Sequence, residues 1–364
     1  MIDTCNIMTV AATDLKTISI ILDKKFRGYG ETEVSNNDRK ATLKLKGHWI
    51  NNIKLKSVGF DYHETIIYVD FSYPKFFYED NIALITTEKQ RMEVNTELLR
   101  LIREFSADNT LKMHHLKYIR IDVAQQFEDI FEDYFLIFGI VYETFVESMG
   151  PENKKSKKYI QIEQKGNTKD YTTGFTYNKS DYKINIYNKM AQSNKKNYIP
   201  GRKTIIRVEQ VFTPKVLGEK TLNLDKFTMR ILKEKYSKYL EKNLWDRLNL
   251  VLEKKNKELK KRLITVLKKS KPPLRAEIKD MQSLILDFEM IKNIIKNSDV
   301  GVTDRMKYNY IKWAKESLED TEKNGSTKIK FFNNFSRLEK LLFNITSIRT
   351  NIEFIQEVPK IDSL

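Results

Sequence analysis

Three short segments alternate aliphatic and polar residues at period two: KYIRIDVA at 117–124, DYKINIYNKM at 181–190 and KTIIRVEQVF at 203–212. That period predicts half-buried β-strands. Ile119, Ile121 and Val123 would face a core, as would Ile184 and Ile186, and Ile206 and Val208. The opposite faces then carry Arg120 with Asp122, Asn185 with Tyr187 and Lys189, and Arg207 with Glu209. TISIILD (17–23), ATLKLKG (41–47) and TIIYVDFS (65–72) also predict strands, and GYGETEVSNND reads as a turn-rich connection. From Glu88 to Phe105 the pattern changes to a helical one, with Met92, Leu98, Leu99 and Ile102 on one face. The aromatic-rich stretch 129–147 predicts a helix packed on the sheet. Further strands are expected at 159–164 and 171–177, followed by a turn at Asn178-Lys179-Ser180-Asp181.

After Pro214 the texture changes. Leucines and valines from Leu240 to Val266 recur at helical spacing along a basic segment that ends at Pro272-Pro273. Helices are expected near 274–297, 303–321 and 334–347. The predicted class is α+β: an antiparallel sheet with helices on one face and the site on the other, then a helical C-terminal domain. The expected division is 1–218 for the sheet domain and 219–364 for the helical one.

Charge sharpens this picture. The chain carries a formal +16, and the windows 151–203 and 230–269 hold +9 each, so the remainder sums to −2. Excess this concentrated suits a polyanionic partner, because each phosphate neutralised by Lys or Arg releases condensed counterions. A lysine-rich solvated surface is the alternative. The loops of the first window offer Lys154, Lys155, Lys157, Lys158, Lys195, Lys196, Arg202 and Lys203 as DNA-contacting residues. One cysteine, Cys5, excludes an internal disulfide and fits a reducing cytoplasm. The longest apolar stretch, Tyr134 to Tyr142, is too short to span a bilayer, so no membrane partner is expected.

The polar strand faces hold parts suited to phosphodiester chemistry. A tyrosine oxygen can attack phosphorus and become covalently linked to it, provided charge on the non-bridging oxygens is stabilised. Tyr187 is the candidate nucleophile, and Lys189, in phase with it, could stabilise that charge or lower the phenol pKa. The ordinary alternative is a tyrosine stacking across a sheet. Asp122 and Glu209 are candidate ligands for Mg²⁺ or Mn²⁺, which take hard carboxylate oxygens. Each also lies two residues after an arginine, as a same-face ion pair would. His48, His63, His114 and His115 contain no pair separated by one residue, no zinc spacing is present, and no P-loop supports ATP-driven unwinding.

In their order, RxD, YxK and RxE, with a start of MIDT and a basic helical tail, resemble the replication initiators of filamentous phages (the gene II type) and the related initiators of Gram-positive rolling-circle plasmids. YVDFSYPKFFYEDN (68–81) resembles the phage group's strand-plus-loop pattern, with Ser72, Lys75 and Asn81 at matching spacing. Pro74 is one place late, and Glu79-Asp80 stands where Gly-His is expected. The resemblance covers about residues 1–220. It implies a metal-dependent, site-specific DNA nickase and strand transferase, with Tyr187 as nucleophile. Asp122 and Glu209 would be metal-site acids, Asp80 would replace the family histidine, and Arg120, Lys189 and Arg207 would be phosphate-side cations. Implied partners are a replication origin, double- and single-stranded, with host helicase and polymerase. The rival readings are a non-catalytic DNA-binding maintenance protein and a small conjugative relaxase.

Overall fold

The computed structural model describes residues 1–139 and 157–246 apart from short breaks, parts of 249–265, and 288–297, 303–323 and 337–341 with one gap. It is an α+β structure. One antiparallel-paired sheet runs in the order β2-β3-β4-β5-β1-β6-β12-β11-β10-β7. Its strands are β1 (Ile2–Ala11), β2 (Thr32–Val34), β3 (Lys40–Lys44), β4 (Ile50–Val58), β5 (Glu64–Ser72), β6 (Lys117–Ile130), β7 (Lys157–Ile160), β10 (Thr172–Lys179), β11 (Tyr182–Asn188) and β12 (Lys203–Phe212), with the short β13 (Leu222–Asn223) beside β6. A separate ribbon pairs β8 (Glu163–Gln164) with β9 (Asn167–Thr168).

Leu43, Ile53, Val69, Ile7 and Tyr118 stand opposite one another across five strands and are all buried, so one face of the sheet is continuously apolar. Two helices cover it: α1 (Leu15–Lys25) and α3 (Glu88–Ser106), with the short α2 (Tyr73–Phe77) between β5 and α3. Tyr73 Oη donates to Asn95 Oδ1 of α3 at 2.5 Å and lies 2.6 Å from Tyr118 Oη, joining helix to strand inside the core. Val94, Leu98, Ile102 and Phe105 form the buried stripe of α3. Met92, expected on that stripe, is exposed.

The segment 17–23 corrects the strand expectation: it lies within α1. Asp14 caps the helix by accepting the Thr17 amide, and Leu15, Ile18 and Leu22 repeat at helical spacing toward the core. Ile20 points outward, which a strand reading of the β-branched run would not anticipate. Residues 129–130 extend β6, so the helical segment begins later, with a 3₁₀ turn at Phe131–Tyr134. Residues 140–156 lie outside the described ones.

Two compact units emerge: residues 1–129 with 151–238, and 130–150 with 239–364. The segment 219–238, expected with the helical half, therefore belongs to the sheet unit. Arg91 Nη1 donates to the Leu224 carbonyl, and the Met229 amide donates to Glu88. Tyr236, on a helix at Met229–Leu240 (α6, after α4 at Lys189–Ser193 and α5 at Pro214–Leu217), donates to the Val208 carbonyl of β12 at 2.9 Å. In the second unit, α7 (Phe288–Lys296) packs with α8 (Asp304–Lys323), in the region where helices were expected. The strip 249–265 is described only in pieces. No helix among the described residues is long and apolar enough to cross a membrane.

Candidate active site on the sheet

On the sheet face away from α1 and α3, strand register brings the polar residues into one row. Asn185 stands opposite Glu209 on β12, and Tyr187 opposite Arg207. Asn185 Nδ2 donates to Glu209 Oε1 at 2.7 Å, while Tyr187 Oη donates to Glu209 Oε2 at 3.1 Å. Thr176 of β10 continues the row, its Oγ1 3.1 Å from Asn185 Oδ1. On β6, Arg120 grips Asp122 through two charge-assisted bonds, Nε to Oδ1 at 2.7 Å and Nη2 to Oδ2 at 2.6 Å. Asp122 and Glu209 are both buried and feel each other's charge.

Two irregularities set this arrangement. Asn6 pairs with Arg120 but Ile7 with Tyr118, so Ile119 is an extra residue, a β-bulge. Tyr118 thereby takes the core position predicted for Ile119, which is only half-buried. A second shift lies between Ile2–Val123 and Cys5–Ile121, at the level of Asp3. Asp3 is the acid that sequence reasoning missed. It is buried, and its Oδ2 accepts from Arg207 Nη1 at 2.8 Å. Its signal was present: a lone acid in the apolar-alternating stretch Ile2–Ala11.

Arg207 has 0% exposure, and the reason is covalently distant chain. Residues 81–85 fold over this part of the sheet, with Ile2 bridged to Ile85. Arg207 Nη2 donates to the carbonyls of Asn81 and Ile82 and to Gln126 Oε1 at 2.7–2.8 Å. Its guanidinium is thus engaged within the protein as a clamp, in contrast to the phosphate-side role implied for it. Arg120, with its side chain 47% exposed, is the cation of the pair that solvent reaches.

Lys189 does not continue the strand face. β11 ends at Asn188, whose Oδ1 accepts from the Ala191 amide at 2.9 Å and the Thr204 hydroxyl at 2.6 Å, so α4 starts at once. Lys189 turns back over the Tyr187 ring, Nζ 5.9 Å from its centroid, and donates to Gln192. Gly174 of β10 stands opposite Tyr187. A Cβ there would lie 2.8 Å from Tyr187 Cβ, so only glycine admits the tyrosine in this position.

The electrostatics oppose the expected lowering of the phenol pKa. Burial first, and then the Glu209 carboxylate, hold the Tyr187 hydroxyl well above the ordinary phenol range, with Arg207 acting in the opposite direction. Burial and the Glu209 charge raise Asp122 to about 7 against the pull of Arg120. Burial, then Asp3, raises Glu209. The site sets three buried acids, Asp3, Asp122 and Glu209, against two arginines, Arg120 and Arg207.

Surplus carboxylate is suited to a hard divalent cation, and the oxygen donors Asp122 and Glu209 fit one chemically. Among the described residues, no group of three or more His, Cys, Asp or Glu side chains is gathered as a metal-holding cluster. Asp80 lies outside the described residues, as do Lys154, Lys155, Lys195 and Lys196. Lys157 and Lys158 fall on β7, without described side chains. Arg202 and Lys203 are exposed at the start of β12. His114 and His115 sit against each other in a 3₁₀ turn, ring centroids 4.1 Å apart, before β6 begins.

No protein-family model matches the chain, and no curated protein matches it. Among solved structures, the di-domain ARO/CYC BexL from the BE-7585A biosynthetic pathway is similar at 8% identity and a TM-score of 0.19, over 68% of this chain and 97% of that one. The di-domain ARO/CYC StfQ from the steffimycin biosynthetic pathway is similar at 9% identity and 0.18, over 68% and 96%. Likenesses of that TM-score carry no argument about fold or chemistry.

Proposed function

We propose that the protein is a rolling-circle replication initiator with the corresponding nicking-domain fold, cutting one strand of origin DNA through a tyrosine. The observation that carries this reading is the Tyr187–Glu209 hydrogen bond at 3.1 Å, beside Asp122 and Arg120. A phenol with a raised pKa needs a base in contact with it, and Glu209 is that base. Tyr187 Oη attacks phosphorus and its proton passes to Glu209. The P–O3′ bond breaks, the 3′ oxygen takes a proton from solvent, and the 5′ side stays linked as a phosphotyrosine. The exposed part of Arg120 faces the non-bridging oxygens. Asp122 and Glu209 would hold Mg²⁺ or Mn²⁺, which when bound neutralises phosphate charge. Reverse transfer regenerates the phosphodiester, so no nucleotide hydrolysis is required.

The 3′-hydroxyl serves a host polymerase, with a host helicase opening the duplex. The basic segments 154–158 and 195–203 would hold the DNA backbone, contacts that position without specifying sequence. A second reading has one observation in its favour: both oxygens of Glu209 are already bonded, as in a purely structural network. Under it the protein is a non-catalytic DNA-binding factor. Incubation with supercoiled circular DNA of the parent replicon and Mn²⁺ separates the two. Nicked circles bearing a denaturant-resistant protein adduct support the nickase. Bound but uncut DNA supports the binder.

A further inference from the structure

The half of the sheet that lies beyond the tyrosine carries a surface that the basic windows of the sequence did not point to. Register places Lys44 opposite Asn52, Asn52 opposite Asp70, Asp70 opposite Asn6, and Asn6 opposite Arg120. These residues share one face, away from α1 and α3, and lead strand by strand to the Arg120–Asp122 pair. The next row holds Lys54, Tyr68 and Met8, and the one after it Lys56, Ile66 and Val10. Lys44, Lys54 and Lys56 are exposed, Val10 is 44% exposed, and Tyr68, Met8 and Ile66 are half-exposed.

This is a mixed surface, with cations along one side and apolar or aromatic side chains beside them. Among the described residues of β2 to β5, the acids on this face are Glu33 and Glu64 toward its margins, and Asp70, which accepts from Asn51 and Asn52 at 3.3 and 3.1 Å. A duplex hides its bases and would use only the lysines. A single strand exposes phosphates for the lysines and base π-faces for Tyr68. With strands ~4.8 Å apart, the row from Lys44 to Arg120 crosses four spacings, ~19 Å.

We propose that the face of β3, β4, β5 and β1 opposite the helices is a track for single-stranded nucleic acid, running from Lys44 to the Arg120 side of the candidate active site. The inference rests on the nickase reading for its direction, but its binding test does not require cleavage.

The test uses the full chain without divalent cation and a fluorescein-labelled oligothymidylate, with a duplex of equal length as control. The K44Q/K54Q/K56Q variant should bind the single strand at least about tenfold more weakly. Its log–log salt slope should be smaller by ~2, from ~0.7 per lost single-strand phosphate contact. Tyr68→Ala should cost about fivefold or more, and Tyr68→Phe little. The K44R/K54R/K56R variant should retain binding. Wild-type affinity and slope in the Gln variant overturn the track, as does an equal loss on duplex. Adduct formation by the wild type, measured separately, decides the nickase reading. A protein that binds through this face but forms no adduct retires the nickase and keeps the track. One that nicks, and whose Gln variant binds normally, does the reverse.

Discussion

On β4 and β5 the face away from the helices meets water, and its charged residues Lys54 and Lys56 are exposed. On β12 Arg207 is sealed under the Asn81 and Ile82 carbonyls, and Glu209 is buried beside the half-buried Tyr187. In the exposed half, charges cost little and tolerate exchange. In the sealed half, each charge must be matched by hydrogen bonds, because a buried ion left alone is expensive. Asp3, Asp122, Glu209, Arg120 and Arg207 make up an acid-rich set in which the Asp122 and Glu209 carboxyls are raised, an arrangement costly to the fold and associated with functional sites. The contrast separates a region that would hold a strand from one that would act on it.

The largest effect should come from removing the base. Glu209→Gln keeps the shape and the bond to Asn185, and nicking should fall by ~10²–10⁴-fold with little change in DNA affinity. Equal loss of both would make Glu209 a fold residue. Next, Arg207→Ala strands Asp3 and three carbonyl or amide acceptors, and should cost ~3–5 kcal/mol in urea unfolding. A neutral result would mean that the sealed half is wetter than its burial implies. Gly174→Ala should cost ~1–3 kcal/mol, by forcing a Cβ against Tyr187, and should lower nicking more than the same change at an exposed strand position.

A smaller effect concerns pH. Asp122 has a folded-state pKa of about 7, above its unfolded value. The folded state thus binds the extra proton in the window between, and stability should fall as pH rises from about 4 to 7. Arg120, Glu209 and Asp3 face this carboxyl and set the size of the effect. Asp122→Asn should flatten the decline in Tm across that window. An unchanged slope would assign it to other groups.

Much of this was legible in the sequence, and the failures have physical causes. β11, β12 and, beyond its bulge, β6 follow period two, and Tyr187 bonds Glu209, whose charge reaches Asp122. The bulge at Ile119 was invisible because bulges change phase without changing composition. Helix α1 was hidden by β-branched residues, although Asp14 and the Leu15, Ile18, Leu22 spacing were its markers. Lys189 was misplaced because Asn188 reads equally as a strand residue and as a helix cap. The clamp by Arg207 depends on residues 81–85 and Asp3, contacts across more than a hundred residues that no local pattern encodes.

The most direct measurement maps the covalent linkage. Full-length protein is incubated with Mn²⁺ and a single strand from the replicon's origin, digested with trypsin and nuclease, and examined by mass spectrometry for a nucleotide-bearing peptide. The account predicts the nucleotide on the peptide containing Tyr187, and its complete loss in Tyr187→Phe. An adduct on Tyr182 or Tyr177, or cleavage with no linked peptide, would contradict it.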